Sequence, residues 1–451
     1  MPSTEQVVAD CGPIDQGLRD GSRGTVTISR IAKATLFALF WANFSNFLDR
    51  QVVAALAPFL KEYWQLSDTQ VGLLATAFEV AYALAPVPIA VLADRWLRRR
   101  VVALAVTLWS GAMAVSGAAA SFSVLLLGRV GLGVGAAGYG PSALAWLSDL
   151  FPPSHRSRAV GIHDLALMIG SAAGYALGGV VGKALGWRPV FYLAAVPGFL
   201  LAVIMWFLPE PRRGESDFAA LGAESKPSSS EAIPFAAALR ELLAVPTLLV
   251  TYSVTVLINL ATAGVIYWLP TFAVRLHGLG EDQAGLIIGA LTVVTGGAGV
   301  LSGGFVADRA LRSTAAGRLL TISASYALGF PLALAAVWVR DTTLFLILAT
   351  LAVYLFAFYF PCLAPLVHQV TQPGLRATAM GLYLFAAHLL GNAVAPPLIG
   401  WLSDQSGDLR LGIAAALSLA FLGALIGFWG TRFVGRDTEA MLERLVVERV
   451  E

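Results

Sequence analysis

The feature that most constrains this chain is a series of long apolar runs. A helix needs about 20 apolar residues to cross a hydrocarbon core about 30 Å thick. Twelve runs of that kind occur, over 34–57, 70–93, 101–121, 123–147, 159–183, 188–208, 248–274, 283–306, 317–338, 342–368, 377–402 and 410–434. Lipid offers no water to backbone N–H and C=O groups, so a spanning segment is either a helix or part of a closed barrel. The runs are continuous rather than alternating, which argues against a barrel. The expected fold is an all-α membrane protein with twelve transmembrane helices. Composition agrees: 57% of residues are hydrophobic and 13% charged, against about 25% charged in an ordinary globular protein.

Basic residues set the orientation. With both termini cytoplasmic, 22 of the 30 Lys and Arg fall on cytoplasmic segments. The outer loops carry 6 of them, Lys61, Lys183, Arg188, Arg275, Arg340 and Arg410, while Arg50 and Arg129 lie inside spans. This is the positive-inside asymmetry. The first 33 residues are polar and lack a charged–apolar–cleavage pattern, so no signal peptide is expected. Arg outnumbers Lys 26 to 4 among abundant Ala and Gly, a composition associated with GC-rich bacteria; the expected location is a bacterial inner membrane. A net charge of +2 gives no reason to expect a nucleic-acid partner. Cys11 and Cys362 lie too far apart in this topology for a disulfide.

The chain divides into two halves. Residues 209–234, "PEPRRGESDFAALGAESKPSSSEAIP", are rich in Pro, Ser, Gly and charge and read as a flexible linker. The "FAAALRELLAV" that follows reads as a short interfacial helix. The expected organisation is a tail over 1–33, a six-helix bundle over 34–208, a cytoplasmic linker over 209–247, a second bundle over 248–434 and a tail over 435–451. The bundles repeat. "ADRWLRRR" (93–100) follows span 2 and "ADRALRST" (307–314) follows span 8; "RSRAVG" opens span 5 and "RATAMG" opens span 11. Gly170, Gly174 and Gly178 in span 5 form a small-residue stripe suited to close helix packing.

Buried charge is where function is expected. "NFSNFLDRQVVAAL" (43–56) places Asn43, Asn46, Asp49 and Arg50 on one arc of span 1. A charge at mid-bilayer costs about 2.5–3.5 kcal/mol or more, so this stripe must face protein or a water-filled cavity. At 1.5 Å per residue, Asp49, Glu79 and Arg129 all lie about 10–13 Å below the outer boundary. Two acids and two bases thus share one layer of the first half. A carboxylate there is pulled one way by guanidiniums and the other by desolvation, which is the balance a proton-coupled carrier needs. His163 and Asp164, near the cytoplasmic end of span 5, form a second candidate pair. Tyr139, Asn259, Tyr267, Tyr354, His388 and Asn392 are expected to line a cavity, with His388 and Asn392 four residues apart on one face.

Six-plus-six parallel repeats around a midplane site describe one large transporter architecture, and here the sequence resembles the major facilitator superfamily. The resemblance rests on the loop signature Gly-xxx-Asp-Arg-x-Gly-x-Arg-Arg, of which the first copy keeps Asp94, Arg95, Arg98 and Arg99 and the second Gly304, Asp308, Arg309 and Arg312. Asp94 and Arg95 near Asp149, with Asp308 and Arg309 in the second copy, are expected to gate the cytoplasmic side through ion pairs. Gln369 replaces the Asp149 equivalent, so that lock is expected to be asymmetric. Within the superfamily, "NFLDRQVVAALAPFLKEYWQLSDTQVGLLATAF", "APVPIAVLADR", "GRVGLGVGAAGY" and "TVVTGGAGVLSGG" resemble the Spinster-like carriers. That resemblance implies proton-coupled transport of lysophospholipids and sphingoid phosphates, with Asp49 as protonation site and Arg129 as its partner. The family's span 4 string has an acid where this chain has Ala136, which leaves Glu79 and Asp164 as candidates for the missing carboxylate.

The expected function is therefore a proton-coupled secondary carrier of an amphipathic, lysolipid-like or anionic small molecule, working by alternating access as a monomer. An organic-anion or drug-like compound carrier is the alternative, and a non-transporting membrane sensor a third reading. No enzyme is expected: the sequence lacks a nucleophile elbow and metal-spaced His/Cys clusters, and no phosphate-binding loop or other cofactor motif occurs.

Overall fold

The computed structural model describes residues 29–86, 89, 96–210, 235–372 and 375–447, and among these every regular element is a helix. Spans 1 to 6 are Arg30–Trp64, Asp68–Leu84, Arg98–Gly117, Phe122–Leu150, Pro153–Leu185 and Trp187–Phe207. Spans 7 to 12 are Pro246–His277, Glu281–Leu311, Gly317–Trp338, Thr342–Gln369, Thr378–Ser406 and Leu409–Arg444. Among the described residues ten helices are long and apolar enough to cross a membrane. Span 1 falls short because the Asn43–Arg50 stripe crosses its middle. Span 2 is described as a helix for 17 residues, and its expected continuation to residue 93 lies outside the described residues.

Local chemistry sets the helix ends. Ser67 caps span 2 in a reciprocal capping box with Gln70. Span 7 ends on Gly278 and span 11 on Gly407, both in the left-handed conformation that glycine adopts without a Cβ clash. Span 10 breaks at Ala357–Phe358, between Thr342–Phe356 and Tyr359–Gln369. Pro361 is the cause, since its ring cannot share space with the carbonyl four residues earlier. Spans 8 and 11 each contain a π-helical turn, Thr292–Gly296 and Ala386–Asn392, a deformation that often marks functional positions.

The expected glycine stripe packs span 5 on span 1. A Cβ at Gly170 would lie 2.3 Å from the Phe44 carbonyl oxygen, and one at Gly174 2.4 Å from that of Leu48. The outer surface is apolar: Leu127, Phe207, Leu301 and Phe305 are each more than two-thirds exposed. Water would not tolerate so continuous a hydrocarbon surface, but lipid does. Phe235–Leu243 forms the expected short helix and buries Ala238 and Leu242 against Leu248, Tyr252, Val367 and Ala379 of the second half. The stretch 211–234, on which the flexible-linker expectation falls, lies outside the described residues.

Among the described residues the halves are tied together toward the face opposite the chain termini. On the face opposite the chain termini, Gly72 of span 2 abuts Pro396 of span 11, and Gly285 of span 8 abuts the Tyr175 carbonyl of span 5. Polar ties run inward from that face. Asp68 receives two hydrogen bonds from Arg275, at 2.7 and 2.8 Å, and one from Ser403 at 2.7 Å. The amides of Asp68 and Thr69 both donate to Asp404 at 2.8 Å. Deeper, the Tyr267 hydroxyl donates to the Val71 carbonyl and Thr76 to that of Ala393. Glu79 ends the series, about 16 Å along span 2 from Asp68. Among the described residues Glu79 is the deepest of the polar groups that bond across the halves from that face.

Candidate functional site

The site lies at the deep end of this series of hydrogen bonds between the halves. Asp49 is wholly buried and neither carboxylate oxygen has a hydrogen-bond partner. The Arg129 charge and the Ser45 hydroxyl act on it, yet Arg129 does not hydrogen-bond its side chain. Arg129, 2% exposed, donates from Nε to the Leu74 carbonyl at 3.2 Å and from a terminal nitrogen to the Asp49 backbone carbonyl at 3.3 Å. It therefore ties span 4 to spans 1 and 2. The expected balanced cluster is only partly assembled: its charges share a layer without closing into an ion-paired network.

Arg50 is different again. Its guanidinium lies over the faces of Tyr82, Phe47 and Phe78, at 4.4, 4.7 and 4.8 Å from the ring centroids, and its Nε has no hydrogen-bond partner. Aromatic faces stabilise a desolvated cation by about 2 kcal/mol but leave its N–H groups free for an anion.

Glu79 does not pair with either arginine. It reaches across to the other half, where Oε2 lies 2.6 Å from His388 Nδ1 and 3.5 Å from Asn392 Nδ2. The π-turn of span 11 places His388 and Asn392 together, 3.3 Å apart, with the Ala393 amide bonded back to the His388 carbonyl. The His388 ring packs on Tyr82, 4.8 Å between centroids. Sequence spacing brought His388 and Asn392 onto one face; nothing in it marked their partner 309 residues away.

The remaining residues of the expected stripe are accounted for individually. Asn43 donates to the His163 carbonyl at 2.9 Å, and Asn46 is buried with an unpartnered amide nitrogen. His163 Nδ1 lies 2.9 Å from Asp164 Oδ1, and its Nε2 lies 2.9 Å from the Tyr139 hydroxyl. In the second half Asn259 bonds the Tyr359 hydroxyl at 3.0 Å, which in turn meets Tyr383 at 3.2 Å. Tyr354 lies outside that network and packs edge-on against Phe358. Tyr267, 8% exposed, seals the contact between halves rather than lining open space. Sequence reasoning passed over Tyr383 and Asp68, and read Arg275 only as an outer-loop charge. "LSDTQ" signals a helix start at Asp68, but nothing local points to Arg275.

Of the expected gate, Asp94 and Arg95 lie outside the described residues. Arg98 forms an ion pair with Asp149 and also donates to the Ala145 carbonyl, while the Glu210 carboxylate accepts the Arg98 and Arg99 amides at 2.8 and 3.2 Å. In the second half Gln369 accepts from Arg318 at 2.8 Å and donates to the Ala315 carbonyl. The asymmetry is thus an arginine–amide contact in place of an arginine–carboxylate one. Asp308 and Arg309 are exposed at the end of span 8. Among the described residues no cluster of His, Cys, Asp and Glu suits a metal ion.

Residues 39–396 match the family model for the Major Facilitator Superfamily. An MFS-type efflux pump of Mycolicibacterium smegmatis is 29% identical over 395 residues, covering 87% of this chain and 89% of that one. Protein spinster homolog 1 of Xenopus laevis is 28% identical over 393 residues, covering 81% and 72%. The crystal structure of a bacterial homologue of the human lysosomal transporter Spinster, inward-facing and unoccupied, superposes with a TM-score of 0.81 at 25% identity, covering 91% of this chain and 98% of that one.

Proposed function

The chain belongs to the major facilitator superfamily, whose members are transporters rather than enzymes, and on that premise we propose that it is a proton-coupled secondary carrier of an amphipathic anion, working by alternating access. One observation carries the reading. The Asp49 carboxylate is wholly buried without a hydrogen bond, next in sequence to an Arg50 guanidinium whose partners are aromatic faces. A carboxylate so placed is best neutralised by a proton, and a guanidinium so placed by an anion.

In this reading the terminal face is cytoplasmic and the conformation inward-facing. The phosphate or carboxylate of the cargo sits on Arg50, and its apolar body lies toward Tyr359, Tyr383 and the aromatic wall of the second half. Arg129 holds Asp49 in place rather than meeting cargo. Glu79, His388 and Asn392 join the halves at mid-depth and must part for the outward-facing state. Arg98–Asp149, with Asp94, Arg95, Asp308 and Arg309, gates the cytoplasmic side. Lysolipid-like cargo is favoured by the similarity to Spinster homologues. Export of a drug-like or organic anion is the second reading, favoured by the similarity to an efflux pump.

The test is proton flux into proteoliposomes with an internal pH dye, on addition of lysophospholipids, sphingoid phosphates, sugar acids or aromatic acids. Flux with lysolipids that is lost in Asp49→Asn supports the proposal. Flux with small acids alone selects the second reading, and flux that survives Asp49→Asn removes Asp49 as the coupling group.

A further inference from the structure

The Tyr139–His163–Asp164 chain allows its protons to be counted. A phenol has one hydrogen, and Tyr139 commits it to the Leu39 carbonyl, 2.7 Å away. A carbonyl only accepts, so that direction is settled. The contact between the Tyr139 hydroxyl and His163 Nε2, at 2.9 Å, then requires a hydrogen on Nε2. The other ring nitrogen, Nδ1, lies 2.9 Å from Asp164 Oδ1. With Nε2 already protonated, a neutral ring presents a bare lone pair at Nδ1, and an ionised carboxylate presents another. Two lone pairs do not hold that distance. Either the ring is an imidazolium or the carboxyl is protonated, and in both cases the pair holds one proton beyond the neutral ring and the free carboxylate.

The surroundings fit an exchanging proton. His163 is sealed, with its side chain 4% exposed, whereas that of Asp164 is 60% exposed. The pair lies more than a turn toward the terminal face from where Met168 of span 5 approaches Gly297 of span 8, at 3.5 Å from a Cβ built there. Span 4 presents Tyr139 to the pair, and span 1 presents Asn43, which is neutral. Spans 6 and 8 carry Arg188, Tyr192, Glu281 and Asp282 toward the opposite face, and Asp308 and Arg309 at the terminal end of span 8.

We propose that His163 and Asp164, with the ring held in one tautomer by Tyr139, form a second proton-carrying site, loaded in this conformation and exchanging with water on the terminal side. On release, the proton leaves the Nδ1–Oδ1 bond for water, Nε2 keeps its hydrogen, and Asp164 turns away as a carboxylate. This rests on the carrier reading above and adds one proton to each cycle beyond that of Asp49.

Two measurements test it. Solid-state ¹⁵N spectra of histidine-labelled protein in liposomes, assigned by subtraction of His163→Asn, should show Nε2 protonated and Nδ1 either protonated or accepting from Asp164. A ring with Nδ1–H and a bare Nε2 overturns the site, because the pair then holds no extra proton. At a pH high enough to empty the pair, Tyr139→Phe should release the neutral ring to both tautomers, and a spectrum unchanged from the unmodified protein at that pH removes the role of Tyr139. In the dye assay, using whichever panel member drives flux, Asp164→Asn should lower the ratio of protons to cargo by one while cargo counterflow persists. An unchanged ratio with intact counterflow overturns the site. Absence of proton flux in the unmodified protein would instead overturn the coupling role of Asp49, and the ring spectrum would still decide whether this pair is loaded.

Discussion

Arg129 and Arg50 are the same residue type in the same membrane layer, and their surroundings separate them. Arg129 spends its hydrogens on the Leu74 and Asp49 carbonyls; Arg50 lies among Phe47, Phe78 and Tyr82 with hydrogens to spare. Truncating Arg129 removes two buried charge-assisted hydrogen bonds between spans, at about 1.5–3 kcal/mol each. Arg129→Ala is therefore expected to lower the melting temperature in detergent and to reduce transport of every cargo alike. Arg50→Ala should melt near the unmodified protein and reduce uptake of anionic cargo by about tenfold or more, the loss of a charge-assisted hydrogen bond of about 1.5–3 kcal/mol. Parallel thermal-shift and uptake assays decide it, and an Arg129→Ala protein that melts normally and discriminates between charged and neutral cargo would reverse the two roles. That both arginines sit inside spans was legible in the sequence. Which one holds structure was not, because carbonyl acceptors carry no signature in the side-chain pattern.

At the scale of the helix, glycine decides how closely the halves approach. The Gly285 position would place a Cβ 2.4 Å from the Tyr175 carbonyl oxygen across the interface, and that obstacle is backbone, which cannot rotate away. Gly285→Ala should therefore wedge span 8 from span 5 and favour opening of the opposite face. Gly161→Ala, where a Cβ would meet nothing within 4 Å, should not. The measurement is the rate of thiol labelling at Leu276→Cys from the opposite side, expected to rise severalfold in the first variant alone; equal rates would remove the wedge. The small-residue stripe of span 5 was readable from spacing, and Gly170 and Gly174 do pack on span 1. The π-turns were not, since no local residue pattern distinguishes Ala386–Asn392 from ordinary helix.

For the molecule as a whole, the opposite face is held by a latch that acid hardly touches. Burial pushes the Asp68 carboxyl up, but hydrogen bonds from Arg275, Lys61 and Ser403 outweigh it and hold it down at about 2. A group held below its ordinary value of 3.8 favours the joined state fully above that value and loses its contribution as pH falls toward 2. The latch should thus contribute evenly from about pH 5 to 8, and any pH dependence of the conformational balance in that window must come from deeper groups. An exposed ion pair is worth about 0–1 kcal/mol; Asp68, 3% exposed with several donors, should exceed that. Asp68→Asn is expected to raise the outward-open fraction several-fold at pH 7, with spin-label distances across the opposite face as the readout. Distances unmoved by the substitution would show that apolar packing alone closes this face.

By itself the sequence determined the class of molecule: helices crossing lipid, two repeated bundles, and a polar stripe on span 1 that lipid cannot accept. Those follow from rules that act within one segment, namely the cost of an unpaired backbone in hydrocarbon, helical periodicity and the penalty for a buried charge. The partners of the polar groups were decided by tertiary structure alone. Glu79 was expected among the charges of its own half and instead bonds His388 and Asn392 of the other; Asp68 finds Arg275, 207 residues away. Such pairings depend on how two bundles are set against each other, and that arrangement is a property of packed surfaces that no single segment encodes.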